Sequence, residues 1–377
     1  MDKFKRLREF MDEVIEKNKF PGIDCVVYQN HEEIFRHTAG YMDMENKVKP
    51  AKNALYNIYS ATKLITITAA LQLVEQGRML LLDPLYKYLP EYENMMVKYG
   101  TFTLTPAKNK ITIADLMTMT AGIHYDGLCP TLAALRQKEG ENLTTRKFAE
   151  ALAKEPLLCE PGEGWNYGFC HEVLGAVIEV VSGLNFEDYL QKNIFEPLGM
   201  SDSSFKLKGD RAERVAPQYN MSLTDSTITK ISNVSLAGNT EHYFSGGGGL
   251  IMPTDDYILF ADAMACGGIG KTGAKILSAP YIELMAKNRL KGKKLEDYMR
   301  FGLPEGYGYG LGCGVVYDQA AALSTRPDGA FSWGGLGGCS NQIDPKNKLS
   351  AYLSMHLIFA PKHIFWPHML NILYSSL

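Results

Sequence analysis

Asn57-Ile58-Tyr59-Ser60-Ala61-Thr62-Lys63 stands where a short extended run over residues 55–59 meets a helix expected over 61–76. Leu64, Ile67, Leu71 and Val74 recur at the spacing of one helical face, and Gly77 follows as a C-cap. Ser60 and Lys63 are at i and i+3, so a hydroxyl and an amine share one side of the helix. A serine in the first turn also lies near free backbone N–H groups and the positive end of the helix dipole. Lysine acts as a base only when neutral, which requires burial or nearby positive charge to depress its pKa. The expectation is an uncharged Lys63 that helps to take the Ser60 proton. The alternative is an N-cap serine followed by a solvated lysine, and spacing alone does not separate the two. Ser203-Ser204-Phe205-Lys206 repeats the spacing, but in a polar stretch with no helix after it.

Outward from this point, the chain reads as strands at both ends and helices between. A helix over 3–18 carries Leu7, Phe10, Met11, Val14 and Ile15 on one stripe and is broken by Pro21-Gly22. Runs 23–28 and 33–37 flank Gln29-Asn30-His31-Glu32 as a hairpin. From Asp83 to about Asn233 the signals are helices and irregular loops, the better helices being 113–119, 145–154 and 172–182, the last stopped by Gly183. Helices over 255–266 and 279–287 follow. Strands then return over 308–317, 330–333, 339–343 and 348–359, and a last helix starts near Lys362. This is α+β layering, with one antiparallel sheet built from both termini, flanked by helices, and a mainly helical insertion. The expected organisation is a single domain over 1–377, with an α/β part at about 1–82 and 240–377 and a helical part at about 83–239.

Composition narrows the function. The 377 residues are 46% hydrophobic and 21% charged, ordinary globular usage that argues against disorder. A net charge of −3 gives no electrostatic footprint for phosphate backbones, so nucleic acid is not an expected partner. The charged N-terminal segment has no apolar h-region, and no stretch has the run of about 18 apolar residues that a membrane span needs. The seven cysteines are scattered, with no Cys-x-x-Cys, and read as reduced thiols. A cytoplasmic protein is expected.

Several motif fragments fail on inspection. His171-Glu172 starts like a metalloprotease helix, but Gly175 occupies the second histidine position. Gly268-Ile269-Gly270-Lys271-Thr272-Gly273 fits a nucleotide-loop pattern but follows a helical segment instead of a strand. There is no Gly-x-Ser-x-Gly elbow.

Beyond Asn57–Lys63, further motifs occur in order. They are Leu82-Asp83-Pro84, Tyr88-Leu89-Pro90, the run 111–122, Pro161-Gly162-Glu163-Gly164-Trp165-Asn166-Tyr167, Gly247-Gly248-Gly249-Leu250 and Tyr307-Gly308-Tyr309-Gly310. On these the chain resembles the serine β-lactamase and penicillin-binding-protein superfamily over nearly its whole length. The resemblance is to class C β-lactamases and above all to the family VIII carboxylesterase branch. It implies a β-lactamase/transpeptidase-like fold, Ser60 as an acylated nucleophile, and Lys63 and Tyr167 sharing the role of base. That superfamily's third motif, Lys-Thr-Gly in β-lactamases, falls on a late strand. Lys271-Thr272-Gly273 comes too early, and Ser332-Trp333-Gly334-Gly335-Leu336 holds the expected place, like the Trp-Gly-Gly of the esterases. The resemblance then implies an oxyanion hole from the Ser60 and Leu336 N–H groups, with Trp333, Gly334, Gly335 and Phe169 contacting substrate. Tyr167-Gly168-Phe169 replaces the Tyr-x-Asn of β-lactamases. The lost amide and lost strand lysine favour a less charged acyl substrate.

The implied activity is that of a serine hydrolase on small esters, or an acyltransferase, with no metal or organic cofactor. A β-lactamase or D,D-peptidase and a non-catalytic binding protein of the same fold are the rivals. Asn57, Tyr125, His171, His242, Tyr243 and Cys339 are further candidates for the surroundings of the site, His171 also reading as a helix-start residue.

Overall fold

A computed structural model describes residues 2–100, 103–232 and 240–377. The first helix, α1 (Lys5–Asn18), buries Leu7, Met11 and Ile15 at helical spacing and ends at Lys19, which is left-handed. Seven strands form the main sheet. In spatial order they are Glu32–Ala39, Ile23–Gln29, Leu349–Ser354, Ser340–Asp344, Phe331–Ser332, Gly314–Val316 and Tyr307–Tyr309, each antiparallel to its neighbour. Strands from the two ends of the chain meet in the middle, where Val26 pairs with Tyr352.

Both faces of the sheet are covered. Cys25, Val27, Ala351 and Leu353 point into a cluster with Leu7 and Met11 of α1 and Phe365, Met369 and Leu373 of the C-terminal helix Lys362–Ser375. Val26 and Tyr352, one residue out of phase, enter the larger cluster that holds the second helix, α2 (Thr62–Glu75). The alternation expected of a one-sided sheet is therefore absent, and these strands read as nearly continuous apolar runs.

α2 also departs from its sequence reading. Every residue from Thr62 to Val74 is buried, so the helix has no solvent face. Helix Cys170–Ser182 packs along it, while Tyr257 and Met264 of helix Thr254–Ala265 reach it from the sheet side. Its buried donors find partners: Thr66 donates to Gly246 O at 2.7 Å and Gln72 to Ile276 O at 2.7 Å.

Three further differences have physical causes. The run 308–317 is a hairpin, not one strand, because the chain turns at Gly310–Gly312 between Tyr307–Tyr309 and Gly314–Val316. The run 348–359 breaks after Ser354, and Leu357–Ile358 leaves the main sheet to pair in parallel with Gln218–Met221. The central region contains two hairpins besides its helices, Met96–Tyr99 with Thr103–Pro106 and Gln218–Met221 with Ile228–Ile231. The expected end of the helical part, at 239, lies outside the described residues. Among the described residues no helix is long and apolar enough to cross a membrane.

Candidate active site

The segment before Ser60 is held from three sides. Tyr56–Asn57 pairs antiparallel with Ile251–Met252, and Ile58 N–H donates to Leu250 O at 3.1 Å. Tyr59 has φ +46°, a left-handed conformation that costs a side-chain-bearing residue about 1–3 kcal/mol. Its hydroxyl accepts from Gln218 Nε2. The Gln218 and Asn57 amides lie 3.2 and 3.3 Å from His356 Nε2, and His356 Nδ1 is 2.8 Å from Ala216 O. These partners assign the ring proton to Nδ1. The ring is neutral, and burial lowers its pKa to about 4.

A single helical turn, Tyr59–Ala61, then leads into α2. Ser60 Oγ accepts from Lys63 Nζ at 3.2 Å and shares a 2.7 Å hydrogen bond with Tyr167 OH. Lys63 is fully buried and donates to Gly247 O at 2.6 Å. A side chain at 247 would come within 2.6 Å of Glu172 Oε1, so close approach requires glycine there. Glu172 is buried and accepts from Ser245 Oγ at 2.6 Å, Tyr243 OH at 3.1 Å and Gly247 N–H at 3.2 Å. Burial pushes its carboxyl above the usual range, against the pull of Ser245 and Lys63.

Burial alone lowers the Lys63 pKa, but the phenol oxygens of Tyr125 and Tyr167 and the Glu172 carboxylate outweigh it, and the pKa is raised. Nζ also lies 4.7 Å from the Tyr167 ring centre and 5.6 Å from that of Tyr125. Lys63 Nζ and the Tyr167 oxygen both stand within hydrogen-bond reach of Ser60 Oγ.

Aromatic rings wall the site. Trp333 Nε1–H donates to Tyr167 OH at 3.3 Å, and Asn341 fixes the Trp333 backbone by bonds to its N–H and carbonyl of 3.2 and 2.7 Å. Phe301 stacks on Trp333 at 6.3 Å, and Tyr125 meets the Tyr167 ring at 5.1 Å. Phe169 lies one ring further out, 4.6 Å from Tyr125 and 5.6 Å from Phe148.

The turn after Trp333 closes on the nucleophile's segment. A side chain at Gly335 would stand 2.2 Å from Ile58 O, and Cys339 Sγ donates to that same carbonyl at 3.2 Å. Gly338 N–H donates to Gly335 O at 3.2 Å, and Gly335 N–H to Cys339 O at 3.1 Å. Leu336 N–H donates to no group among the described residues, and Ser60 stands in a first helical turn, where N–H groups have no helical acceptor. Gly334 lines a cavity of about 450 Å³ on the outer side of this turn, with Ser332, Asn341, Arg326 and Lys362.

The remaining candidates divide. Tyr125, Tyr243, Asn57 and Cys339 join the site or its support, as described. His171 is the second residue of helix Cys170–Ser182, fully buried, and burial pushes its pKa well below the ordinary value. His242 is exposed and stays outside. Lys271 lies over Tyr28, away from Ser60, and Ser203 and Lys206 bond to Asp256 and Glu241 instead of each other. Glu172 and Lys362 were missed. The sequence signal for Glu172, its place five residues after Tyr167, was read only as a failed metal motif.

Among the described residues, two groups outside the site could hold a cation: His31-Asp262-Cys266 and His124-Cys129-Glu155. In the second, His124 Nδ1 accepts from Asp126 N–H at 3.0 Å, leaving the proton on Nε2 and opposing coordination there. A cavity of about 1170 Å³ beside Cys266, Ile282 and Lys346 includes no residue of the Ser60 constellation.

The chain is similar to known proteins over most of its length. Esterase EstB of Burkholderia gladioli is 26% identical over 371 residues, covering 92% of this chain and 89% of its own. Monacolin J acid methylbutanoyltransferase of Aspergillus terreus is 27% identical, covering 88% and 85%. Among solved structures, unliganded simvastatin synthase (LovD) from Aspergillus terreus superposes with a TM-score of 0.83 at 24% identity, covering 100% of this chain and 99% of that one. EstCE1, a hydrolase with promiscuous acyltransferase activity, gives 0.81 at 22%, covering 99% and 98%. The fold is thus the β-lactamase/transpeptidase-like one expected from the sequence. The sequence model described as Beta-lactamase matches residues 6–357, and the chain belongs to that family.

Proposed function

We propose that this protein is a serine hydrolase or acyltransferase that forms an acyl-enzyme at Ser60 on small, uncharged esters. The observation that carries the reading is the Ser60 oxygen held 2.7 Å from Tyr167 OH and 3.2 Å from Lys63 Nζ, beside a turn whose Leu336 N–H is free. Tyr167 first releases its phenol proton to solvent, leaving a phenolate held by the Lys63 ammonium, and Ser60 Oγ then attacks the ester carbonyl carbon as its proton passes to that phenolate oxygen. The carbonyl oxygen becomes an oxyanion between the N–H groups of Ser60 and Leu336. Collapse breaks the ester C–O bond, and the departing alkoxide takes the proton from Tyr167. Water, or an acceptor alcohol, then gives its proton to Tyr167, attacks the acyl carbon, and Ser60 leaves with the proton returned.

Both esterases and acyltransferases among the relatives support the two fates of the acyl group. The rings of Tyr125, Phe301 and Trp333 around Ser60 support a neutral, apolar substrate over a carboxylate-bearing one, which ranks a β-lactamase or D,D-peptidase second. We read the chain as one domain, because a single core cluster joins α2, helix Cys170–Ser182 and Tyr352 of the sheet. The seven free thiols support a reducing, cytoplasmic setting.

The test is turnover of nitrophenyl acetate and butyrate together with fluorophosphonate labelling. The wild type should hydrolyse the esters and take the label at Ser60, and Ser60→Ala should lose both. Undiminished turnover in Ser60→Ala removes the reading. An unlabelled and inactive wild type points to the binding-protein alternative, and nitrocefin turnover rivalling that of the esters promotes the β-lactamase.

A further inference from the structure

The turn that carries Leu336 is gripped from behind by a lysine outside the motifs. Lys362, first residue of the C-terminal helix, donates through Nζ to Gly335 O at 2.5 Å and to Cys339 O at 3.3 Å. Gly335 O and Leu336 N–H belong to one planar, conjugated peptide unit. An ammonium on that oxygen draws electron density toward it and makes the N–H of the same unit a stronger donor. Gly338 N–H already bonds to this carbonyl at 3.2 Å, so two donors polarise it.

Lys362 is half-buried and lines the cavity of about 450 Å³ beside this turn. Among the described residues no carboxylate forms an ion pair with Lys362. Burial lowers its pKa, and the Cys339 thiol is the one ionisable group opposing that shift. The approach is also specific, since a side chain at Gly334 would stand 3.0 Å from Nζ.

We propose that Lys362 is a positioning residue for catalysis. Its ammonium fixes the 335–339 turn and polarises the Gly335–Leu336 peptide, so that Leu336 N–H is aimed and strengthened toward the developing oxyanion. This rests on the acyl-enzyme reading above. It adds a cation that never touches substrate, contributed by the last helix of the chain.

The test compares wild type, Lys362→Met and Lys362→Arg in two readouts. One is kcat and KM on a nitrophenyl ester. The other is the infrared stretch of a carbonyl-¹³C acyl group trapped on Ser60. Lys362→Met should lower kcat about 10- to 100-fold, less than outright removal of an oxyanion donor, with KM within about threefold. Its acyl carbonyl stretch should move to higher wavenumber as the oxyanion hydrogen bonds weaken. Lys362→Arg, which keeps charge and donors, should restore most of both. A retained kcat, or a lowered kcat with an unmoved stretch, overturns the proposal and leaves Lys362 a tether of the fold. If Lys362→Met does not fold, Lys362→Gln, a neutral donor to the same carbonyls, is read by the same criteria. Turnover surviving in Ser60→Ala, or an acyl group found elsewhere by mass spectrometry, is instead a failure of the acyl-enzyme reading.

Discussion

Replacing Tyr167 by phenylalanine removes one oxygen and leaves the ring. The ring's contacts with Tyr125 at 5.1 Å, Trp333 at 5.6 Å and Phe301 at 5.7 Å persist. The structural cost is two hydrogen bonds, that of Trp333 Nε1–H at 3.3 Å and that with Ser60 Oγ at 2.7 Å, together about 1–3 kcal/mol. Against an ordinary folding stability of about 5–15 kcal/mol this leaves the protein folded. The catalytic cost is much larger. If Tyr167 is the base for Ser60, as proposed, the loss should lie toward the upper end of a general base's contribution, about 10³–10⁴ in kcat. At roughly 1.4 kcal/mol per tenfold that is about 4–5.5 kcal/mol of transition-state stabilisation. Burst kinetics with nitrophenyl butyrate read kcat and KM, and thermal melting by circular dichroism reads the fold. KM should change little, because the substrate's walls stay in place. Tyr167→Phe within tenfold of the wild-type kcat would refute the reasoning and return the role of base to Lys63.

Three other outcomes follow from the same contacts. His356 is held neutral with its pKa lowered to about 4, so its contribution to stability is complete above the unfolded histidine value near pH 6.5. It is lost as pH falls from there through about 4, a change of about 3 kcal/mol. Urea titrations across that range should show the slope in wild type and a flatter one in His356→Leu. Gly335→Ala drives a methyl group to 2.2 Å from Ile58 O. It should lower ester turnover about a hundredfold by shifting the oxyanion turn, while far-ultraviolet circular dichroism stays native. Glu172→Gln keeps an acceptor for Ser245 and Gly247 but removes a charge that holds Lys63 protonated. The alkaline limb of the pH–rate profile should move to lower pH, with activity near neutrality changed little.

What could be read from the sequence were the local features. Ser60 and Lys63 are one helical turn apart, and the apolar runs at both ends announce strands whatever their partners. Tyr167 and Trp333 could be named only through resemblance, since nothing in their own neighbourhoods shows that they meet across 166 residues. The charge of Lys63 was not legible, because it depends on Tyr125, Tyr167 and Glu172, three side chains brought together only by folding. α2 was mistaken for an amphipathic helix because threonine and glutamine count as polar in a pattern. Here they are buried with backbone carbonyls as partners. Lys362 follows an alanine-proline pair at a helix start, a context that signals an ordinary surface lysine, and its carbonyl partners lie 23 and 27 residues back.

The central pairing of Ile23–Gln29 with Leu349–Ser354 has a consequence for synthesis on the ribosome. The first hairpin to emerge has one bare edge and two apolar faces until nearly all of the chain has been made, a state open to wrong pairing. The same delay withholds the turn that supplies the Leu336 amide. On the acyl-enzyme reading, the nascent serine, with its amine and phenol already translated, lacks that amide until the strands Ser340–Asp344 and Leu349–Ser354 arrive.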